Sequence, residues 1–352
     1  MLSSGVRGGV RHRRSSRSLT IAELTRPSDL ERLRGEWTAL LEASTAATPF
    51  QAPEWLVAWW HCLGGQGLWT LAIRRRGRLV GIAPLYIFAD PQTAERRVCL
   101  AGNGVSDKLS TVSSAEDGGV VARAVLDHLA RRAELWDTCD FRDLPADSAI
   151  VCADLPSALA GSVEAEEPCP VLTLPRTADD LLQTVPRALA QNLRRSTRRA
   201  RERGEVVFET AAPDTRRELL AALFHLHAAR WEARGQRGVL DERMRRFHET
   251  VSCALQERDM LYLHALRIDR RIIAAQYVLQ YNRRAYLYIT GFDPDFGALS
   301  PGALLMSHVL QEALRRGNNE FDFLRGRERY KYVWGAVDRP QRRLRIWKRN
   351  TP

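Results

Sequence analysis

Near the C-terminus the stretch EFDFLRGRERYKYVWG (residues 320–335) sets a carboxylate, Asp322, between two phenylalanines and follows it at once with cations and aromatics. Strand alternation puts Asp322 and Leu324 on one face of residues 320–324, and Phe321, Phe323 and Arg325 on the other. A carboxylate on a central strand is costly to bury unless it is paired or takes part in chemistry. After Gly326 the spacing allows a helical turn. Glu328 and Lys331 are then i, i+3 neighbours, and Tyr330 and Trp334 are i, i+4 neighbours. Such a group can move protons, or it can pin the C-terminal segment by ion pairing, and the residues alone leave both readings open.

Two further stretches carry candidate chemistry. The predicted helix 214–235 places Leu220, Leu223, Phe224, His227, Trp231 and Arg234 on one stripe, with Arg230 at its edge. A histidine on an apolar stripe is commonly a core residue, but a stripe that ends in tryptophan and arginine emerges into a groove. The junction Ser300-Pro301-Gly302 reads as a helix start, with Ser300 as N-cap and Pro301 in the first position. Gly302 leaves the first turn bare, which suits a phosphate as well as a plain cap.

These residues need elements to position them. LAIRRRGRLVGIAPLYIF (71–88) and HALRIDRRIIAAQYVLQY (264–281) each read as strand, turn, strand, with turns at Arg76-Gly77-Arg78 and Asp269-Arg270. Each hairpin leads through more strand and a helix to a strand bearing an acid, WDTCDFRDL (136–144) and NNEFDFLRG (318–326). This pattern predicts a duplicated unit. In the second copy, helices at 186–204, 214–235 and 241–259 precede strands near 260–267, 272–281 and 285–291, a helix at 302–316 and the strand 320–324. The fold expected is α/β (α+β): two tandem units, each a mixed, mainly antiparallel sheet flanked by helices. The boundaries are a basic, disordered tail at 1–18, a first unit at 19–160, a Pro-rich linker or crossover at 161–180 and a second unit at 181–352.

The chain has 352 residues, enough for two cores, and a formal net charge of +11. Residues 1–170 hold 19 Lys/Arg against 21 Asp/Glu, while residues 171–352 hold 34 against 21. The second half therefore faces an anionic partner or presents a basic surface. Its predicted helix 186–204 carries Arg187, Arg194, Arg195, Arg198, Arg199, Arg201 and Arg203 with no interleaved aromatic ring for base stacking. That favours a solvated face, or an arginine reaching a cofactor, over RNA binding. The six scattered cysteines form no CxxC pair, so no metal site is expected and the thiols are those of a cytoplasmic protein. The N-terminus lacks the apolar core of a secretory signal, and no stretch reaches the roughly 20 apolar residues of a membrane span.

Six segments in order, TPFQAPEWLVAWW (48–60), VGIAPLY (80–86), LHAARWEARG (226–235), FHE (247–249), GFDPDFGALSPGALL (291–305) and FDFLRGRERYKYVWG (321–335), resemble the GNAT-related acyltransferases of the CelD/BcsL type. The resemblance runs from about residue 20 to 347. It implies two tandem GNAT-like units, the second holding acetyl-CoA or another acyl-CoA as co-substrate. It further implies acyl transfer to an amine or hydroxyl of a sugar, polysaccharide precursor or small metabolite. The thioester arm would lie where strand 285–291 splays from strand 320–324, with the donor against Thr290 and Gly291 and its pyrophosphate at Ser300, Pro301 and Gly302. The usual Gln/Arg-x-x-Gly-x-Gly/Ala pyrophosphate loop is not matched by DFGALSPGA. Where the family has an acid after the Arg-Gly pair and a proline before the Tyr-Lys pair, this chain has Arg327 and Arg329.

By that resemblance the general base is His227, Asp322 or Glu328, and Tyr330 or Lys331 serves the leaving thiolate or the acceptor. Arg230, Trp231, Arg325 and Trp334 line the acceptor pocket. Two rival readings are an aminoacyl-tRNA-dependent transferase of the Fem type, for which the basic half suits tRNA, and a non-catalytic scaffold in polysaccharide biosynthesis or export.

Overall fold

Both predicted hairpins form, and each closes on a left-handed residue at its turn: Arg76 (φ 51°) followed by Gly77 (φ 80°) in the first, Asp269 (φ 52°) in the second. A positive φ matches the twist of a tight hairpin. The computed structural model describes residues 19–232, 235 and 241–349. The tail expected at 1–18, Arg234 and the side chain of Trp231 lie outside the described residues.

The first unit runs β1 (Leu19–Leu24), α1 (Pro27–Glu42), α2 (Pro53–Cys62), β2 (Thr70–Arg75), β3 (Arg78–Ala83), β4 (Leu85–Ala89), β5 (Arg96–Leu100), β6 (Val112–Ser113), α3 (Gly118–Arg131), β7 (Thr138–Pro145), α4 (Ala149–Cys152) and β8 (Leu159–Thr173). The second runs α5 (Ala178–Thr184), α6 (Arg187–Arg203), β9 (Val206–Thr210), α7 (Arg216–Glu232), α8 (Glu242–Glu257), β10 (Leu261–Ile268), β11 (Arg271–Tyr281), β12 (Arg284–Phe292), α9 (Pro301–Arg315), β13 (Glu320–Asp322), α10 (Arg329–Val333) and β14 (Val337–Lys348).

The duplication is explicit in the pairing. In the first unit β5 runs parallel to β7, and in the second β12 runs parallel to β13, each after an antiparallel hairpin and an intervening helix. The units exchange their last strands. β8 leaves the first unit to pair antiparallel with β13, whereas β14 returns from the second to pair with β7, and the two lie side by side. A ten-stranded sheet thereby spans the chain in the order β4-β5-β7-β14-β8-β13-β12-β11-β10-β9, beside a four-stranded sheet β1-β2-β3-β6.

Most of the segment expected as a linker or crossover (161–180) is instead strand, the 15-residue β8, and its last residues open α5. The exposure of β8 alternates from Ala160 to Glu167, with Ala160, Ser162, Glu164 and Glu166 on the less exposed side and Gly161, Val163, Ala165 and Glu167 on the more exposed one. No apolar stripe betrays it. Pro170, unable to donate, still accepts a bond from Phe323 N at 2.9 Å.

The cores do not divide as the units do. One runs from the first unit through to α7, α8 and one face of the second sheet; the other fills the opposite face beneath α6 and α9. At the junction Trp55 of α2 meets Phe50, Phe247 and Tyr288 edge-on, with ring centroids 4.9–5.3 Å apart. Aromatic pairs of this geometry add to plain area burial.

Candidate functional site

The parallel pairing of β12 with β13 covers only Arg284–Tyr286 against Glu320–Asp322. Beyond it the strands part. β12 carries a bulge between Leu287 and Ile289, and the chain after Asp322 turns away through Leu324, a left-handed residue with φ 57°. The edge of β12 from Leu287 to Phe292 thus faces a slot. α7 lies against it so closely that a Cβ on Gly291 would stand 2.6 Å from the backbone N of His227. His227 is buried and its Nδ1–H donates to the Thr290 carbonyl at 3.2 Å. Burial holds its pKa below the ordinary value, with Arg230 adding to the effect, so the ring is neutral near pH 7.

At the upper end of the slot the Arg230 guanidinium lies 5.4 Å from the Phe292 ring centroid, and Phe292 packs against Gly302 at the start of α9. Pro301 occupies the first turn as expected, but Ser300 does not cap through its side chain. It is left-handed (φ 48°), which turns its hydroxyl away to accept from Asn192 Nδ2 of α6 at 3.3 Å. Its carbonyl accepts from Ala303 N and Leu304 N instead. The basic helix α6 runs alongside, and Arg194, Arg198 and Arg201 line a groove of about 700 Å³ between α6 and Ser307 of α9. The first turn of α9 carries no acid.

At the other end stands a buried charge network joining the units. Asp322, 2% exposed, pairs with Lys108 of the first unit and also accepts from Leu324 N at 2.9 Å. The strand expected over 320–324 ends at Asp322. The alternation holds for Phe321 and Phe323, which enter the second core, and for Leu324, which enters the first. Arg325 departs from it, because Leu324 swings the chain towards the first unit. There Arg325 Nη1 donates to Asp143 at 2.9 Å and Arg325 Nη2 pairs with Asp107 at 3.3 Å.

Burial raises the pKa of Asp107 against the pull of Arg325, and the carboxylate of Asp322 adds to the rise. Burial lifts Asp143 to about 7, again against Arg325, with Asp107 and Glu166 pushing the same way. Two carboxyls sharing one guanidinium in a buried setting are equipped to exchange a proton near neutrality. The sequence reading did not single out Asp107, Lys108 or Asp143 for chemistry. The available signals were the Asp-Lys pair in AGNGVSDKLS and the second acid in CDFRD.

The remaining candidates separate into site and scaffold. Lys331 is 2% exposed, and its ammonium donates to the carbonyls of Leu324 (3.0 Å), Arg325 (2.7 Å) and Gly326 (3.1 Å) while pairing with Glu328 at 2.9 Å. All its donors hold the loop 324–328 in shape, and the i, i+3 pair expected from the spacing is present. Tyr330 packs edge-on to Phe323, and burial pushes its hydroxyl up to about 12, with Glu328 adding to the rise. Trp334 does not line the slot. It is buried in the second core because α10 directs it inward, with Leu172 and Phe323. Among the described residues no group of three or more His, Cys, Asp or Glu could hold a metal ion, and no helix is long and apolar enough to cross a membrane.

Residues 187–332 match the family described as acetyltransferase (GNAT) domain. No curated protein matches the sequence. Among solved structures the chain is similar to FemX, at 12% identity and a TM-score of 0.67, covering 92% of this chain and 96% of that one. It is also similar to L-PGS from Bacillus licheniformis, at 12% identity and a TM-score of 0.56 (90% and 91%), and to a conserved protein of unknown function from Bacteroides thetaiotaomicron, at 12% and 0.55 (94% and 100%). At these identities the likeness is one of fold. Residues 187–332, in the second unit, thus carry an acetyltransferase (GNAT) domain, and the first unit repeats the parallel-strand pairing of the second.

Proposed function

We propose that the second unit binds an acyl-CoA, acetyl-CoA in the simplest case, in the slot beside β12 and transfers the acyl group to an amine or hydroxyl of a saccharide or small metabolite, as the resemblance to the CelD/BcsL type implies. The observation that carries this is the conjunction of the splayed β12/β13 pair with an acid-free α9 N-terminus flanked by basic α6. Thr290, Gly291, Ser300, Pro301 and Gly302 would hold the donor, and Arg194 and Arg198 are candidates for its phosphates. Bound acyl-CoA would supply the activated thioester. The chain's own part is to place the acceptor and remove its proton. Asp143, with Asp107 beside it, is better matched to that step than Lys331, whose donors are committed to carbonyls. Arg325 orients both carboxyls, and Lys108 fixes Asp322 beneath them. His227 keeps the α7–β12 contact and the floor of the slot.

A second reading is favoured by one observation, the similarity to FemX over nearly the full length of both chains. A Fem-type transferase would take an aminoacyl-tRNA as donor, and the arginines of α6 would then follow a phosphate backbone. Calorimetric titration separates the two. Micromolar binding of acetyl-CoA supports the first. Binding of tRNA whose affinity falls steeply with salt, without acetyl-CoA binding, supports the second.

A further inference from the structure

A second cavity, of about 650 Å³, opens where the start of β12 and β14 meet residues 44–51, 108–118 and 145–149 of the first unit. Its volume lies in the range of small-ligand sites and far exceeds the space of a few waters. Alcohols supply much of the wall, from Thr48 on one side, Ser114 on another and Ser148 on a third.

Three buried polar atoms on its lining residues have no hydrogen-bond partner: Ser148 Oγ, Tyr286 Oη and Gln341 Oε1. Tyr286 and Gln341 are only 1% and 2% exposed, and the Tyr286 hydroxyl lies beside the Arg284 guanidinium. Buried polar groups are almost always satisfied, so three orphans around one cavity call for a partner that the polypeptide does not supply.

The charges at the cavity do not call for an ion. Lys108 is paired with Asp322, Arg284 and Arg339 share Glu320, and the remaining one, the Asp147 carboxylate, is exposed to solvent near Arg339. What the wall offers is a set of neutral donors and acceptors: hydroxyls that do both, and a carboxamide oxygen that accepts. Burial holds the Tyr286 hydroxyl protonated, so it can donate.

We propose that this cavity is a binding site for a neutral, polyhydroxylated ligand of the saccharide class, one or two sugar rings in size. The site is distinct from the donor slot, and it narrows the acceptor class of the proposed function if the acceptor is what it holds. The test therefore contains no donor, so its failure would leave the acyl-CoA reading standing, and the converse also holds.

Cellobiose and N,N′-diacetylchitobiose are titrated into the full chain by calorimetry and by ligand-observed NMR. At least one is expected to bind saturably, with a Kd of about 1 mM or tighter. Gln341→Leu and Tyr286→Phe should each weaken that binding by about fivefold or more while leaving the melting temperature unchanged or higher, because each removes an unsatisfied buried polar atom. Ser148→Ala, at a half-buried position, should weaken it about threefold and guards against a folding defect in the other two. No saturable binding of either sugar up to about 10 mM, or equal affinity in all three variants, would overturn the assignment.

Discussion

The two units present the same element, a helix that follows a hairpin and precedes a parallel strand, in opposite electrostatic settings. α3 of the first unit starts just after Asp117, whose carboxylate accepts from Ser114 and pairs with Arg75 at 2.5 Å. α9 of the second starts at Ser300-Pro301-Gly302 with no acid in its first turn and with basic α6 beside it. A phosphate at α3 would meet a carboxylate already in place, whereas at α9 it would meet no acid and the positive end of the helix dipole. The acids on the parallel strands differ as well. Asp140 is paired with two arginines, Arg142 and Arg343, and its carboxyl is held below the usual range despite burial. Asp322 has Lys108 from the other unit. The same scaffold occurs twice, and under the proposed function the charges at its two helix starts would separate a binding copy from a supporting one.

The largest effect is expected at the inter-unit pair. Lys108→Ala or Asp322→Ala leaves a charge buried and alone and should lower unfolding free energy by about 3–5 kcal/mol in denaturant titration. The double change Lys108→Met with Asp322→Leu should recover most of that loss. A double variant as unstable as the singles would mean the pair is not what joins the units. Gly291→Ala comes next. Its methyl would meet the α7 backbone, and about 1–3 kcal/mol should be lost, with the slot narrowed and donor binding weakened. By contrast Gly119→Ala, in helix α3 of the first unit, meets nothing within 4 Å and should be near neutral.

The pH dependence gives a third contrast. Asp143 has a folded pKa near 7, above its unfolded value, so the folded state binds more protons between the two. Its contribution to stability is fully present below about pH 4 and is lost as pH rises through about 7. Wild type should therefore lose about 2–3 kcal/mol relative to Asp143→Asn between pH 5 and 8. For Asp140 the sign is opposite: its lowered pKa favours the fold above the unfolded value, and that gain is lost as pH falls. If Asp143→Asn leaves the slope between pH 5 and 8 unchanged, the buried carboxyl pair does not titrate there.

The hairpins, the parallel strands and the basic helix were legible because each is a local pattern of apolar spacing and turn residues. β8 was not, because its first part, partly or fully exposed on both faces, shows no apolar alternation, and the prolines of its buried end mimic a loop. β14 was missed for a related reason: its partners lie about 200 residues away, in the other unit, and its sequence is largely basic. At the site, the acid on β13 and the Glu328–Lys331 pair could be read from spacing. The partners of Arg325 could not, since they depend on one left-handed residue, Leu324, and on loops from the first unit. Several of the stretches that carry the family resemblance turn out to build the interface. Phe50, Trp55 and Phe247 are packing residues of the junction, and His248, fully buried with its pKa pushed down to about 3, lies among them.

Entry of the donor into the second unit at α9 is tested most directly by one titration. Acetyl-CoA is titrated calorimetrically into wild type, Gly302→Asp and Asp117→Asn, the first variant giving α9 the acid that α3 carries and the second removing it from α3. Micromolar binding in wild type, about tenfold or more weaker in Gly302→Asp and unchanged in Asp117→Asn, is the predicted result. Binding that survives Gly302→Asp, or no acetyl-CoA binding at all, would contradict it.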